Sequence, residues 1–369
     1  MKKLILGISG GISLLLFLIL AILVGCLDDN QDTQNAAYRW NREGGAAQVS
    51  CFFSVNSMIS EEGIQEFEHS IDQALIEAAV ETESENPSAR AWIDAYSADG
   101  QLMVSSDRGT VEADAIGVGG DFFYFHPLKL LSGAYFSGND LMQDYCIIDQ
   151  DAAWKLFGSN DVAGMNVYIN GIPHIVTGVV ERRTDKMYQA AGLDSTMIYV
   201  SYRTLSTLGS CNGINHYEIV MPNPITGFAY NFVKEKLASN ERETEIVENS
   251  TRYSLVSRLK MIPKMNYRSM NGKAIIYPYW ENVARCYEDI LTVITIFEVM
   301  FLGYFVFAVV VLFIYWWRHK GWTIKGICIK LKDRVERMAE KARMKMLSRK
   351  RISKEDGTTQ KKISKRRRL

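Results

Sequence analysis

Tyr145-Cys146-Ile147-Ile148-Asp149-Gln150-Asp151-Ala152-Ala153-Trp154-Lys155-Leu156-Phe157-Gly158 is the stretch on which the fold turns. Tyr145 to Ile148 is apolar and short, as a buried strand requires. Gln150 to Phe157 then predicts a helix that turns an aromatic face inward, with Gly158 as its stop signal. Asn166 to Ile169 and His174 to Val180 read as two strands, and Asn170-Gly171 between them suits a tight turn with positive φ at both central residues. Strand, helix and hairpin in close succession describe a mixed α/β unit.

On either side of this block the same order of elements occurs twice. Val49 to Val55 is apolar enough for a strand. After it Ser60 caps a helix whose apolar residues Ile64, Phe67, Ile71, Ala74, Leu75 and Ala78 keep helical spacing, with Glu61 and Glu62 in the favoured first turn. Glu81 to Pro87 reads as a charged loop, and Ala91–Tyr96 and Gln101–Ser105 flank Ala98-Asp99-Gly100 as a predicted hairpin. Later come His216 to Met221 as strand, Pro222 to Pro224 as breaker, Phe228 to Leu237 as helix and Thr244 to Glu248 as strand. Two β-α-β halves thus bracket an inserted mixed α/β subdomain at about residues 119–200. Each helix must bury its apolar stripe on strands, so the expected fold is an α+β, ferredoxin-like layer over residues 48–290.

Two apolar spans enclose that domain. Leu4 to Gly25 carries no charge over 22 residues, about 33 Å as a helix against a bilayer core of about 30 Å. The expected spans are residues 4–26 and 291–317, the second closing on Tyr315, Trp316, Trp317 and Arg318. Glu298 within it reads as an interfacial residue, since Val299 to Trp317 alone is about long enough to cross. Between Leu27 and Trp317 there are 37 acidic and 20 basic residues, whereas Arg318 to Leu369 has 20 basic and 5 acidic. Lys2, Lys3 and the basic tail, residues 318–369, therefore place both termini, residues 1–3 included, in the cytoplasm and the large domain outside. Residues 27–47 read as a polar tether. Leu23-Val24-Gly25-Cys26 offers a competing lipobox reading in which Cys26 is lipidated, although the apolar run is longer than a usual signal-peptide core.

The block Asp121 to Glu181 resembles the extracytoplasmic core domain of MacB-like ABC transporter permeases, in the wider bacterial group that includes FtsX-like proteins. The landmarks are Asp121, Phe122 and Phe123; a leucine-rich stretch to Gly133 and Phe136; Ala153, Leu156, Phe157 and Gly158; and Val176, Gly178, Val179 and Val180 after the Gly171 turn. Turn and core residues of this kind make a fold rather than bind a ligand. The resemblance implies a membrane permease or permease-related subunit, not itself an enzyme, that couples a separate cytoplasmic ABC-type ATPase to an extracytoplasmic domain for export or signalling. Such permeases have two further spans, so another permease subunit or a homo-oligomer is expected as partner. The alternative is a non-transporting surface scaffold, sensor or adhesion protein.

Other chemistry is not signalled. Gly272-Lys273 lacks the Ser or Thr of a phosphate loop, having Ala274 next and Tyr267 in place of its first glycine. His69, His126, His174, His216 and His319 are scattered without helical metal-site spacing, so neither a metal nor a cofactor is expected. Cys51, Cys146, Cys211 and Cys286 show no close pairing. Asn249-Ser250-Thr251 fits a glycosylation sequon to which no role is assigned. In the tail, Ile324, Cys328, Leu331, Val335, Met338, Ala342 and Met346 form an amphipathic helical stripe. Lys325, Lys330, Lys332, Arg334, Arg337 and Lys341 stand around it, which favours membrane lipid or an acidic partner over nucleic acid.

Overall fold

A computed structural model of the chain describes residues 1–78, 90–237, 242–265, 273–320 and 328–344. The charged loop at Glu81 to Pro87, the glycine of the Gly272-Lys273 pair, and Ile324, Lys325 and Met346 of the tail lie outside them. The chain divides into two compact units, residues 1–14 with 303–369, and residues 15–302.

In chain order come α1 (Lys2–Asp29), a 3-10 turn (Asp32–Gln34), α2 (Ala36–Trp40), β1 (Ala46–Phe53), α3 (Glu61–Glu77), β2 (Ile93–Ser105) and β3 (Thr110–Gly120). The inserted block holds α4 (Phe122–Phe125), β4 (Leu130–Gly133), β5 (Tyr145–Asp149), α5 (Gln150–Leu156), β6 (Asn166–Ile169), β7 (Ile172–Val180), α6 (Lys186–Ala190), β8 (Met197–Ser201) and α7 (Tyr202–Leu208). Then follow β9 (Ser210–Cys211), β10 (His216–Pro222), α8 (Phe228–Leu237), β11 (Thr244–Glu248), α9 (Leu255–Met261) and the long α10 (Tyr279–His319). Residues 328–344 are helical and exposed, Lys330, Lys332, Arg334, Arg337 and Lys341 among them. The helices Lys2–Asp29 and Tyr279–His319 are long and apolar enough to cross a membrane.

The two β-α-β halves interleave as expected, in the order β11-β1-β10-β2 with every neighbour antiparallel. One face of β1 and β10 supplies Val49, Cys51, Tyr217 and Ile219. Onto it pack Ile64, Phe67, Ile71 and Leu75 of α3 with Ala229 and Val233 of α8, each large side chain stabilising by about 1.5–3 kcal/mol. Ser60 caps α3, its Oγ accepting from the Gly63 amide at 3.2 Å.

The inserted block continues the same sheet. β3 pairs with β2, β8 lies parallel to β3, β5 antiparallel to β8 and β7 parallel to β5, and β6 pairs with both β7 and the far end of β2. The ladder therefore returns on itself around Leu102, Val104, Ile148, Leu156, Val176 and Val200, which are buried together. Through β6, closure pairs the ends of β2 and β7 that an open sheet would leave as edges.

Three local expectations are corrected. Ala98-Asp99-Gly100 is not a turn but the middle of β2, opposite Gly117, Ile116 and Ala115 of β3. The glycine admits another backbone, since a Cβ at Gly100 would lie 2.4 Å from the Ser210 carbonyl oxygen. The turn comes later, where the Ser106 amide donates to the Gly109 carbonyl at 2.8 Å. The polar segment taken as a tether is folded over much of its length: Ala36 and Ala37 are buried, and the Gln48 amide accepts from Ala36 N at 2.9 Å and donates to Thr33 O at 2.7 Å. The second apolar helix starts at Tyr279, well before its apolar run, because Trp280, Val283 and Ala284 are buried and the acids Glu281 and Glu288 of this stretch are paired.

Candidate functional site

Alternation along β1 and β10 decides which side chains meet. While Val49, Cys51, Tyr217 and Ile219 face α3 and α8, the intervening Ser50, Phe52, His216 and Glu218 share the opposite face. Register places Ser50 opposite Glu218 and Phe52 opposite His216, with Ser97 of β2 on the other side of His216. All are buried.

A chain of hydrogen bonds leaves this face. Ser50 donates a very short bond to the Glu218 carboxylate and accepts from Asn249 Nδ2 at 2.6 Å. The Asn249 carbonyl oxygen accepts from Arg252 at 3.5 Å. Arg252 grips Glu281 with both terminal nitrogens, at 2.7 and 2.8 Å, and donates to Glu288 at 2.8 Å and Gln34 at 3.2 Å. Arg285 adds a 2.9 Å bond to Glu281. The planar guanidinium fork suits this bidentate pairing where lysine would not. Asn249, the acceptor residue of the sequon, is buried, while Ser250 and Thr251 are exposed.

Electrostatics follow the pairing. Burial raises the Glu281 carboxyl, yet Arg252 and Arg285 outweigh it and hold it below the ordinary carboxylate range. For Arg252 burial opposes the charge, and Glu281 again reverses the direction. Burial likewise raises Glu218, but attraction to His126 and His216 brings it well below the usual range, while burial keeps the His126 imidazole lowered. Further along α10, Arg258 reaches Glu298 at 3.0 Å and Thr295 at 2.7 Å. Glu298 is thus a buried, paired carboxylate.

The family-signature residues take other places. Asp121 pairs with Arg90 at 2.7 Å, and Phe122, Phe123 and Phe136 are buried together. Ala153, Leu156 and Val179 lie in the closed ring with Phe157 packed on it, whereas Val180 belongs with the phenylalanines. Gly158, Asn170 and Gly171 have positive φ, and Gly133, also at positive φ, lets its strand approach where a Cβ would come within 2.0 Å of the Thr177 carbonyl oxygen. Gly178 packs against Ala134 and Leu130. Cys26 lies within α1 with its side chain exposed, and Lys273 donates to Thr244 O and Glu245. None of these joins the polar chain.

What residue spacing missed is the meeting of two histidines. Among the described residues, His126, His216 and Glu218 form a group able to hold a metal ion, each offering a ligand atom within 4.8 Å of the others. His126 comes three residues after Phe123 of the Asp121-Phe122-Phe123 signature, and His216 and Glu218 keep a two-residue spacing on a strand, a signal visible only once register is known. A cavity of about 130 Å³ is lined by His126 and Trp280 together with Asp149, Arg182, Tyr199 and Tyr279. The arrangement offers paired charge, imidazole and carboxylate.

Comparison with known proteins bears on the fold and its setting. The profile of the MacB-like periplasmic core domain matches residues 4–237. The macrolide export ATP-binding/permease protein MacB of Chromobacterium violaceum is 31% identical over 99 residues, 26% of this chain and 15% of that protein. MacB of Pasteurella multocida is 36% identical over 74 residues, 20% of this chain and 11% of its own length. The chain therefore matches only a small part of these relatives. The crystal structure of the periplasmic region of MacB from Actinobacillus actinomycetemcomitans superposes with a TM-score of 0.40 at 17% identity, covering 58% of this chain and 94% of that one.

Proposed function

Because the chain belongs to the MacB-like periplasmic core domain family and has two helices apolar enough to span a membrane, we propose that it is a permease-type subunit of an ABC transporter system. A separate cytoplasmic ATPase drives it, and its ectodomain moves to export a substrate or to signal. The observation that carries this reading is the buried pairing of Arg252 with Glu281 and Glu288. Those two acids belong to the same helix, Tyr279–His319, as the second apolar span, so a shift of that helix has to carry or break paired buried charges. Buried pairs of this kind favour discrete alternatives over gradual deformation.

A second copy or another permease subunit completes the membrane portion, and the basic helix at residues 328–344 rests on anionic lipid, each basic residue near such a surface adding about 1 kcal/mol. No nucleotide chemistry is assigned to the chain itself. Purification in mild detergent tests the reading: an ABC-type ATPase should co-purify, its ATP turnover should change on reconstitution with the chain, and Glu281→Gln should reduce that change. If no ATPase associates and deletion leaves transport intact, the chain is instead a membrane-anchored scaffold, sensor or adhesion protein.

A further inference from the structure

We propose that His126, His216 and Glu218 form a binding site for a zinc-type divalent cation in the ectodomain. Three observations converge on it. First, the donor set is right: two imidazoles and a carboxylate are the ligands that zinc, cobalt and nickel share. Second, the donor atoms face one another. His126 Nε2 lies 2.7 Å from Glu218 Oε2, and His216 Nε2 lies 3.7 Å from Glu218 Oε1. These separations bracket the about 3.3 Å that two ligands, each about 2.0 Å from a tetrahedral ion, would keep. Despite their proximity, His126 Nε2, His216 Nε2 and Glu218 Oε2 are buried with no aligned hydrogen-bond partner, a state that native interiors rarely tolerate. Both members of each pair are only 1% exposed.

Third, the surroundings hold the ligands in place. Ser97 Oγ sits 3.2 Å from His216 Nδ1, which turns Nε2 toward Glu218, and Ser50 engages the same carboxylate. Partners of this sort on the remote atom of a ligand orient it and tune the metal. Phe52 stacks on His216 with centroids 5.0 Å apart, and Phe122 and Trp280 pack on His126 at 4.7 and 4.3 Å. The aromatic walls keep bulk water away from the imidazoles. A cation there ties the segment after β3 to strand β10, and through Ser50 and Asn249 it adjoins the Arg252 ion pairs.

The test uses the full chain in detergent, stripped with a chelator and titrated with Co²⁺, then Zn²⁺. The expected result is one equivalent of Co²⁺ giving visible d–d absorption, displaced by Zn²⁺, and lost in His126→Ala and His216→Ala. Ser97→Ala keeps all three ligands and should weaken binding about 10- to 100-fold; it decides the matter where a ligand variant fails to fold. Absence of saturable binding to the folded chain overturns the site, as does binding unchanged in Ser97→Ala and in every ligand variant that folds. Neither result depends on ATPase association.

Discussion

In the closed ring, Ile148, Leu156, Val176 and Val200 pack into an interior built from apolar side chains. In the ferredoxin-like part of the same sheet, one face of β1 and β10 is equally apolar, but the other buries Ser50, His216 and Glu218, a continuation of the Arg252 ion pairs. Apolar packing tolerates exchange of like for like, since its contribution scales with area and volume. Buried charges do not, because each group depends on one partner in one geometry. The first region therefore reads as scaffold and the second as the place where a small displacement changes energy most.

The sharpest test of that contrast is Arg252→Ala. It takes away the cation that grips Glu281 and Glu288, leaving Glu281 with Arg285 alone among its described ion pairs. Removal of one member of a buried pair costs about 3–5 kcal/mol, and denaturant unfolding of the detergent-solubilised chain should show it. A loss below about 1 kcal/mol would mean that the network is dispensable and the contrast mistaken. In the ring, Leu156→Ala leaves a cavity in a fully buried position and should cost about 3 kcal/mol, within the about 2–5 typical of such truncations. Leu156→Met, which preserves volume, should cost under about 1.5 kcal/mol. Arg252→Lys, also conservative in charge, should recover much less because a single ammonium nitrogen cannot reproduce the planar two-nitrogen grip on Glu281.

The two regions differ as much in how far the sequence reveals them. Tyr145 to Gly158 lies contiguous in the chain, so its strand, helix and stop are written in neighbouring residues, as is the Asn170-Gly171 turn. Both β-α-β halves show through the same local periodicity. The closure of the ring does not, because the parallel pairing of β3 with β8 and the pairing of β6 with β2 join strands distant in sequence. Gly100 misled because a glycine after Asp99 signals a turn, while its actual role is to admit Ser210. The polar chain was hidden for a related reason. Gln34, Ser50, His126, Glu218, Asn249, Arg252 and Glu281 each look like ordinary surface residues until register and burial bring them together.

A pH-dependent effect separates the two faces of the ferredoxin-like sheet. Burial and the neighbouring Glu68 charge push the Asp94 carboxyl up to about 8, although the Tyr217 hydroxyl donates to it at 2.9 Å. The folded state then binds a proton that the unfolded chain releases near the ordinary carboxylate range. Stability contributed by that proton is full below about pH 4 and declines as pH rises toward about 8, by at most about 1.4 kcal/mol per pH unit. Asp94→Asn keeps an acceptor for Tyr217 and should flatten the slope measured by unfolding between pH 5 and 8. An unchanged slope would assign the titration to other groups.

The smallest effect is expected where an ion pair of similar length sits on the surface of the inserted block. Lys129 Nζ lies 2.9 Å from Glu181, about as close as Arg252 to Glu281, but the two side chains are 71% and 40% exposed against 2% for each of the buried partners. Water already solvates both charges, so their attraction is screened and its net contribution falls within about 1 kcal/mol. Lys129→Ala and Glu181→Ala, alone and together, should shift the unfolding midpoint little, with a coupling energy near the lower end of that range. If this coupling approached the cost of Arg252→Ala, distance alone would set ion-pair strength here, and burial would no longer distinguish the polar face of β1 and β10 from the rest of the sheet.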